Sequence, residues 1–82
     1  MTVSHEGGMK HTLDVCGLAC PLPVLKAKKA IKSLPSGSLL TVLATDPGSL
    51  KDFETFCQLT GHQLESVSES NGIFTFQIRT IG

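Results

Sequence analysis

Leu13 to Val24 reads LDVCGLACPLPV, and inside this stretch one periodicity gives way to another. Leading into it, HTLDV (11–15) alternates, with Leu13 and Val15 on one face and Thr12 and Asp14 on the other, which predicts a short strand. Beyond Pro21 the spacing becomes helical. Val24, Ala27, Ile31 and Leu34 recur at intervals of three and four, while Lys26, Lys28, Lys29 and Lys32 take the opposite side. Pro35 and the PSGS that it opens stop this helix, and its lysines complement the negative end of the dipole. Between strand and helix stand Cys16 and Cys20, the second followed by Pro21 and Pro23.

Working outward, LLTVLAT (39–45) is a continuous apolar run, which predicts a strand buried on both faces. DPGS (46–49) is a turn. A second helix follows with Leu50, Phe53, Phe56 and Cys57 on one side and Gly61 as its stop. Its start has two candidate caps, Asp46 ahead of Pro47, or Ser49 with Asp52 three residues on. SNG (70–72) supplies a hairpin turn before Phe74, Phe76 and Ile78, which alternate with Thr75, Gln77 and Arg79. The strand before that turn is weaker, because Leu64 and Val67 fall on opposite faces unless a bulge intervenes. The expected fold is therefore α/β, a two-layer sandwich in the order β-α-β-α-β-β, with a mixed four-stranded sheet and two helices on one face. Residues 1–10 are expected to form a flexible tail and 11–82 a single domain.

Composition narrows the function classes. Of the 82 residues, 40% are hydrophobic, which fits a folded domain. No apolar run approaches the ~20 residues of a membrane span, and no secretory signal pattern opens the sequence, so a cytoplasmic protein is expected. Net charge is zero but bipolar. Residues 1–34 hold five lysines against Glu6 and Asp14, whereas 35–82 hold Lys51 and Arg79 against five acidic residues. Such polarity suits docking to proteins, and with neither Trp nor Tyr the chain offers little on which to stack bases. Direct nucleic-acid binding is not expected. Three cysteines cannot all pair, so free thiols are the default.

A helix between the first two strands makes them parallel, and their C-terminal ends then share one sheet edge. That edge receives Asp14 with VCGLAC and Asp46 with TDPG, and sites in open α/β sheets gather there. Cys20, the residue before Pro21, is expected at the N-cap of the first helix. There the dipole and the Leu22 N–H would favour thiolate; Pro21 and Pro23 have no N–H, so the expected lowering of the Cys20 pKa is moderate.

These residues resemble the TusA/SirA-like sulfur-carrier family, whose pattern is Leu-Asp, two residues, Gly, two residues, Cys-Pro-x-Pro. The matching positions are Leu13, Asp14, Gly17, Cys20, Pro21 and Pro23. DPGSLKDFETFCQLTGH (46–62) is similar to the family's second stretch through Asp46, Pro47, Asp52, Phe53 and His62. The resemblance implies that Cys20 bears a persulfide. It would be loaded by a cysteine desulfurase or other sulfurtransferase and unloaded to a downstream relay protein. The expected destination is 2-thiouridine of transfer RNA or related sulfur metabolism, with no cofactor and a monomeric carrier.

Around Cys20, Asp14, Gly17, Pro21, Leu22, Pro23 and Asp46 are expected to shape the site, and Lys26 and Lys29 to meet a partner. Cys16 departs from the family, which often has a basic or apolar residue there. It reads as an incidental loop thiol or as a resolving partner that closes a Cys16–Cys20 disulfide. The alternatives to a carrier are thus a thiol redox protein and a non-catalytic regulatory interaction module. Cys57, beside Phe53 and Phe56, reads as core. His62 follows the second helix and His11 opens the first strand, both at the end away from Cys20, so no metal site is expected.

Overall fold

Pairing of the strands follows from what connects them. In a computed structural model that describes residues 9–81, the chain forms β1 (Lys10–Asp14), α1 (Leu22–Ile31), β2 (Leu39–Ala44), α2 (Ser49–Thr60), β3 (Gln63–Ser70) and β4 (Ile73–Arg79). The sheet order is β1-β2-β4-β3. β1 runs parallel to β2 across the α1 crossover, while β4 is antiparallel to both β2 and β3. This is the expected mixed sheet with two helices. Of the tail expected over 1–10, residues 1–8 lie outside the described residues, and Lys10 already belongs to β1.

One core joins the layers. Leu40, Val42 and Ala44 of β2 and Phe76 and Ile78 of β4 are buried against Ala27 of α1 and Phe53, Phe56 and Cys57 of α2. The rings of Phe53 and Phe76 stand 4.6 Å apart, centroid to centroid, which fastens α2 over the sheet centre.

Four local expectations are corrected. β2 is not buried on both faces. Leu40, Val42 and Ala44 are covered, but Leu39, Thr41 and Leu43 are only half-buried, because a two-layer fold puts helices on one side alone. α1 ends at Ile31, and Leu34 sits in the following turn, where its N–H bonds to the Ile31 carbonyl at 2.9 Å. Leu50 is 40% exposed; the buried stripe of α2 begins instead at Ser49 and continues through Phe53, Phe56 and Cys57. Neither Asp46 nor Ser49 caps α2, whose N-cap is Gly48.

The C-terminal hairpin turns through Asn71 and Gly72, both at positive φ, as a two-residue connection of twisted strands requires. The weak alternation of β3 has a simple cause. Its register shifts between Leu64 and Ser66, so Leu64 pairs with Ile78 and Val67 with Phe76. Both partners point to the core, so the bulge returns Leu64 and Val67 to the same face. The skipped residue, Glu65, forms an ion pair with Arg79 at 3.0 Å.

Phe53→Ala removes the ring that couples α2 to the sheet. It is expected to cost about 3–5 kcal/mol, a large share of the stability of so small a domain. Urea denaturation followed by far-UV circular dichroism measures this, and an unchanged midpoint would contradict the packing described.

Candidate functional site

The parallel pair places the ends of β1 and β2 side by side, with Asp14 opposite Leu43 and the Val15 N–H bonded to the Leu43 carbonyl at 2.8 Å. Two loops leave this edge, residues 15–21 and 45–48. The first turns at once: the Leu18 N–H returns to the Val15 carbonyl, with Gly17 at φ +85°. Asp14 steadies the turn, its Oδ1 accepting the Cys16 N–H at 3.0 Å.

Three contacts then join the first loop to the segment after β2. Thr45 Oγ1 accepts the Gly17 N–H at 2.8 Å, and Asp46 Oδ2 accepts the Cys20 N–H at 3.2 Å. The Cys20 thiol donates to Oδ2 of Asp52, in the first turn of α2. Gly48 closes the space beneath. A Cβ there would stand 2.9 Å from Asp46 Oδ2 and 3.6 Å from the Cys20 sulfur. Cys20 itself is exposed.

The helix start differs from the sequence expectation. Pro21 is the N-cap of α1, so Cys20 lies one residue outside it, and the Cys20–Pro21 peptide is cis. The Leu22 N–H, the donor expected to face the sulfur, bonds to the Ala19 carbonyl at 2.9 Å. Pro23, buried in the first turn, contributes no N–H. The sulfur therefore meets carboxylates rather than amides. The hydrogen bond to Asp52 raises the Cys20 pKa above the ordinary thiol value, and partial desolvation and the charges of Asp52 and Asp46 add to it. The expected lowering is reversed.

Each of the other thiols has its own environment. Asp14 raises the Cys16 pKa through a side-chain hydrogen bond, while its contacts with Cys16 hold its own carboxyl below the usual range. Cys16 and Cys20 thus address different carboxylates, and both are free thiols. Cys57 is buried in the core, and burial pushes its thiol up.

Lys26, Lys28 and Lys29 are exposed along α1, and Lys32 at its C-cap. Leu22, exposed beside the Cys20 loop, is followed one turn on by exposed Leu25, and Leu50 is exposed at the start of α2. His62 lies at the opposite end of the sheet, where its Nδ1 accepts the Ile81 N–H at 3.1 Å and its ring faces Phe56. A cleft of about 420 Å³ at that end is lined by Ile31, Leu34, Phe56, His62 and Ile81 among others, with none of the Cys20 surroundings.

The geometry is that of an exposed thiol on a loop hydrogen-bonded to the segment that follows β2. A family model described as sulfurtransferase TusA matches residues 11–80. The chain belongs to the sulfurtransferase TusA family. A candidate sulfur carrier protein of Neisseria meningitidis serogroup A is 56% identical over 68 residues, covering 83% of this chain and 92% of that protein. The sulfur carrier protein TusA of Allochromatium vinosum is 51% identical over 67 residues, covering 82% and 88%. The crystal structure of a SirA-like protein from Desulfitobacterium hafniense superposes with a TM-score of 0.75 at 30% identity, covering 88% of this chain and 99% of that one. This TusA-family chain shares its fold with that neighbour.

Asp52 was absent from the site residues expected from the sequence, although it stands in the second family-like stretch. Topology held the signal: α2 starts where β2 ends, so its first turn shares the edge with Cys20. Thr45 and Gly48 were missed for a different reason, since a hydroxyl acceptor and a close approach leave no mark on periodicity.

The reversed pKa has a direct measure. In a Cys16→Ser background, where Cys57 is buried, the iodoacetamide rate of Cys20 is expected to rise with pH to a midpoint above ~8.5, the free-thiol value. A midpoint below that value would contradict the carboxylate contacts.

Proposed function

We propose that the chain is a sulfur carrier that relays persulfide sulfur on Cys20. The observation that carries this reading is an exposed thiol in the Leu-Asp-x-x-Gly-x-x-Cys-Pro-x-Pro pattern, held on a loop that both parallel strands anchor. A carrier must show its sulfur to at least two proteins, one that loads it and one that unloads it. An open edge serves that need better than a cleft, and the cleft at the far end takes no part.

The chemistry is thiol–persulfide exchange. Cys20 attacks the outer sulfur of a donor persulfide, the donor thiol departs, and the sulfur passes later to an acceptor thiol by the same exchange. No oxidant or cofactor enters. The donor is a cysteine desulfurase or another sulfurtransferase, and the acceptor is the next relay protein, en route to 2-thiouridine of transfer RNA or related sulfur metabolism in the cytoplasm. Residues 11–82 act as one carrier domain, and it works as a monomer. Exposed Leu22, Leu25 and Leu50, with Lys26 and Lys29 beside the first two, suit a partner face with an apolar centre and an acidic rim.

Mass spectrometry after incubation with a cysteine desulfurase and cysteine tests the reading. One added sulfur atom is expected, lost with Cys20→Ser and kept with Cys16→Ser. Loss of two hydrogens on mild oxidation, requiring both cysteines and without sulfur uptake, would instead favour a thiol redox protein. No change in either experiment would leave an interaction module.

A further inference from the structure

Asp52 lies in the first turn of α2, with its carboxylate accepting from the Cys20 thiol. A capping role does not explain it. Gly48 is the N-cap, α2 shows no side-chain cap, and Ser49 Oγ binds the Asp46 carbonyl instead. The carboxylate is thus aimed across the loop at the reacting sulfur.

That contact poses a chemical problem for a carrier. Thiolate, not thiol, attacks a persulfide. The charges acting on Cys20 are both negative, Asp52 at the sulfur and Asp46 at the backbone N–H, while at the start of α1 the Leu22 N–H is bonded to the Ala19 carbonyl and Pro23 has none. The resting protein therefore holds Cys20 protonated, and its proton must leave as the attack begins. Asp52 is the acceptor already in contact with it.

We propose that Asp52 is the proton acceptor of the sulfur-transfer step, its carboxylate taking the thiol proton as the Cys20 sulfur attacks the outer sulfur of a donor persulfide. This rests on the reading of Cys20 as the carrier residue. The sulfur–sulfur bond of the donor breaks as a new one forms to Cys20. The donor leaves as a thiolate, which recovers the proton from Asp52. The balance is one persulfide and one thiol on each side, with nothing oxidised or reduced. In unloading, the acceptor thiol gives its proton to Asp52 as it attacks, and the departing Cys20 thiolate takes that proton and restores the resting contact. Between partners, the protonated thiol is shielded from alkylation and oxidation. The same carboxylate thus suppresses indiscriminate reactions and serves the intended one.

The two effects move in opposite directions on substitution, which a merely structural role would not produce. In the Cys16→Ser background, Asp52→Asn is expected to lower the pH midpoint of iodoacetamide alkylation. Loading from glutathione persulfide at neutral pH, followed by mass spectrometry, is expected to slow by about a hundredfold, the lower end of what a positioned base contributes. The residual loading of that variant should follow its own alkylation curve with pH, and Asp52→Glu should recover much of the wild-type rate. Far-UV circular dichroism checks that both variants fold. Equal or faster loading by Asp52→Asn, with wild-type loading intact, overturns the inference alone. No sulfur uptake by the wild-type chain overturns the carrier reading and this inference with it.

Discussion

Parallel pairing of β1 with β2 is the constraint from which the rest of the molecule follows. Two parallel strands cannot be joined by a tight turn, so the connecting segment must cross a face of the sheet, and here it does so as α1. Their carboxyl ends then lie at one edge, and the loops that leave them meet. Gly17 reaches Thr45, Cys20 reaches Asp46, and α2 begins close enough for Asp52 to reach the thiol. Had the pair been antiparallel, those loops would lie at opposite ends of the sheet.

Two electrostatic influences compete at the thiol. A helix start carries about half an elementary positive charge, expressed through free N–H groups. In this chain Pro21 and Pro23 have no N–H, and Leu22 donates to Ala19. Those three positions therefore give the sulfur no donor. Against it stands Asp52 in direct contact, with Asp46 behind. A full charge at hydrogen-bonding distance outweighs a partial charge that has no donor on the sulfur. The prolines open the helix without giving the sulfur a donor.

Much of the fold was legible because local patterns spoke for it. Alternation marked β4, spacing of three and four marked α1, and Asn71-Gly72 marked the hairpin. Patterns failed where geometry outside the segment decided. The apolar run of β2 read as doubly buried, yet its neighbours leave Leu39 and Leu43 half open. Leu50 has the right chemistry for a buried stripe, but Ser49, Phe53 and Phe56 occupy the face that meets the sheet. The confused alternation of β3 was resolved only by its pairing with β4, where the bulge at Glu65 puts Leu64 and Val67 opposite core residues.

At the site the division is sharper. The order of elements, the edge that the loops after β1 and β2 share and the place of Cys20 on it all follow from the sequence, because they depend on periodicity, connection length and a contiguous motif. The company Cys20 keeps does not. Asp46 and Asp52 are 26 and 32 residues away along the chain; the parallel pairing of β1 with β2 brings the first to the loop, and the packing of α2 on the sheet through Phe53 and Phe76 brings the second. Which charge faces a sulfur depends on directions of side chains across that packed interface, and these are set by tertiary structure alone. The sequence determined where the thiol would be shown; the fold decided that the Asp52 carboxylate would face it.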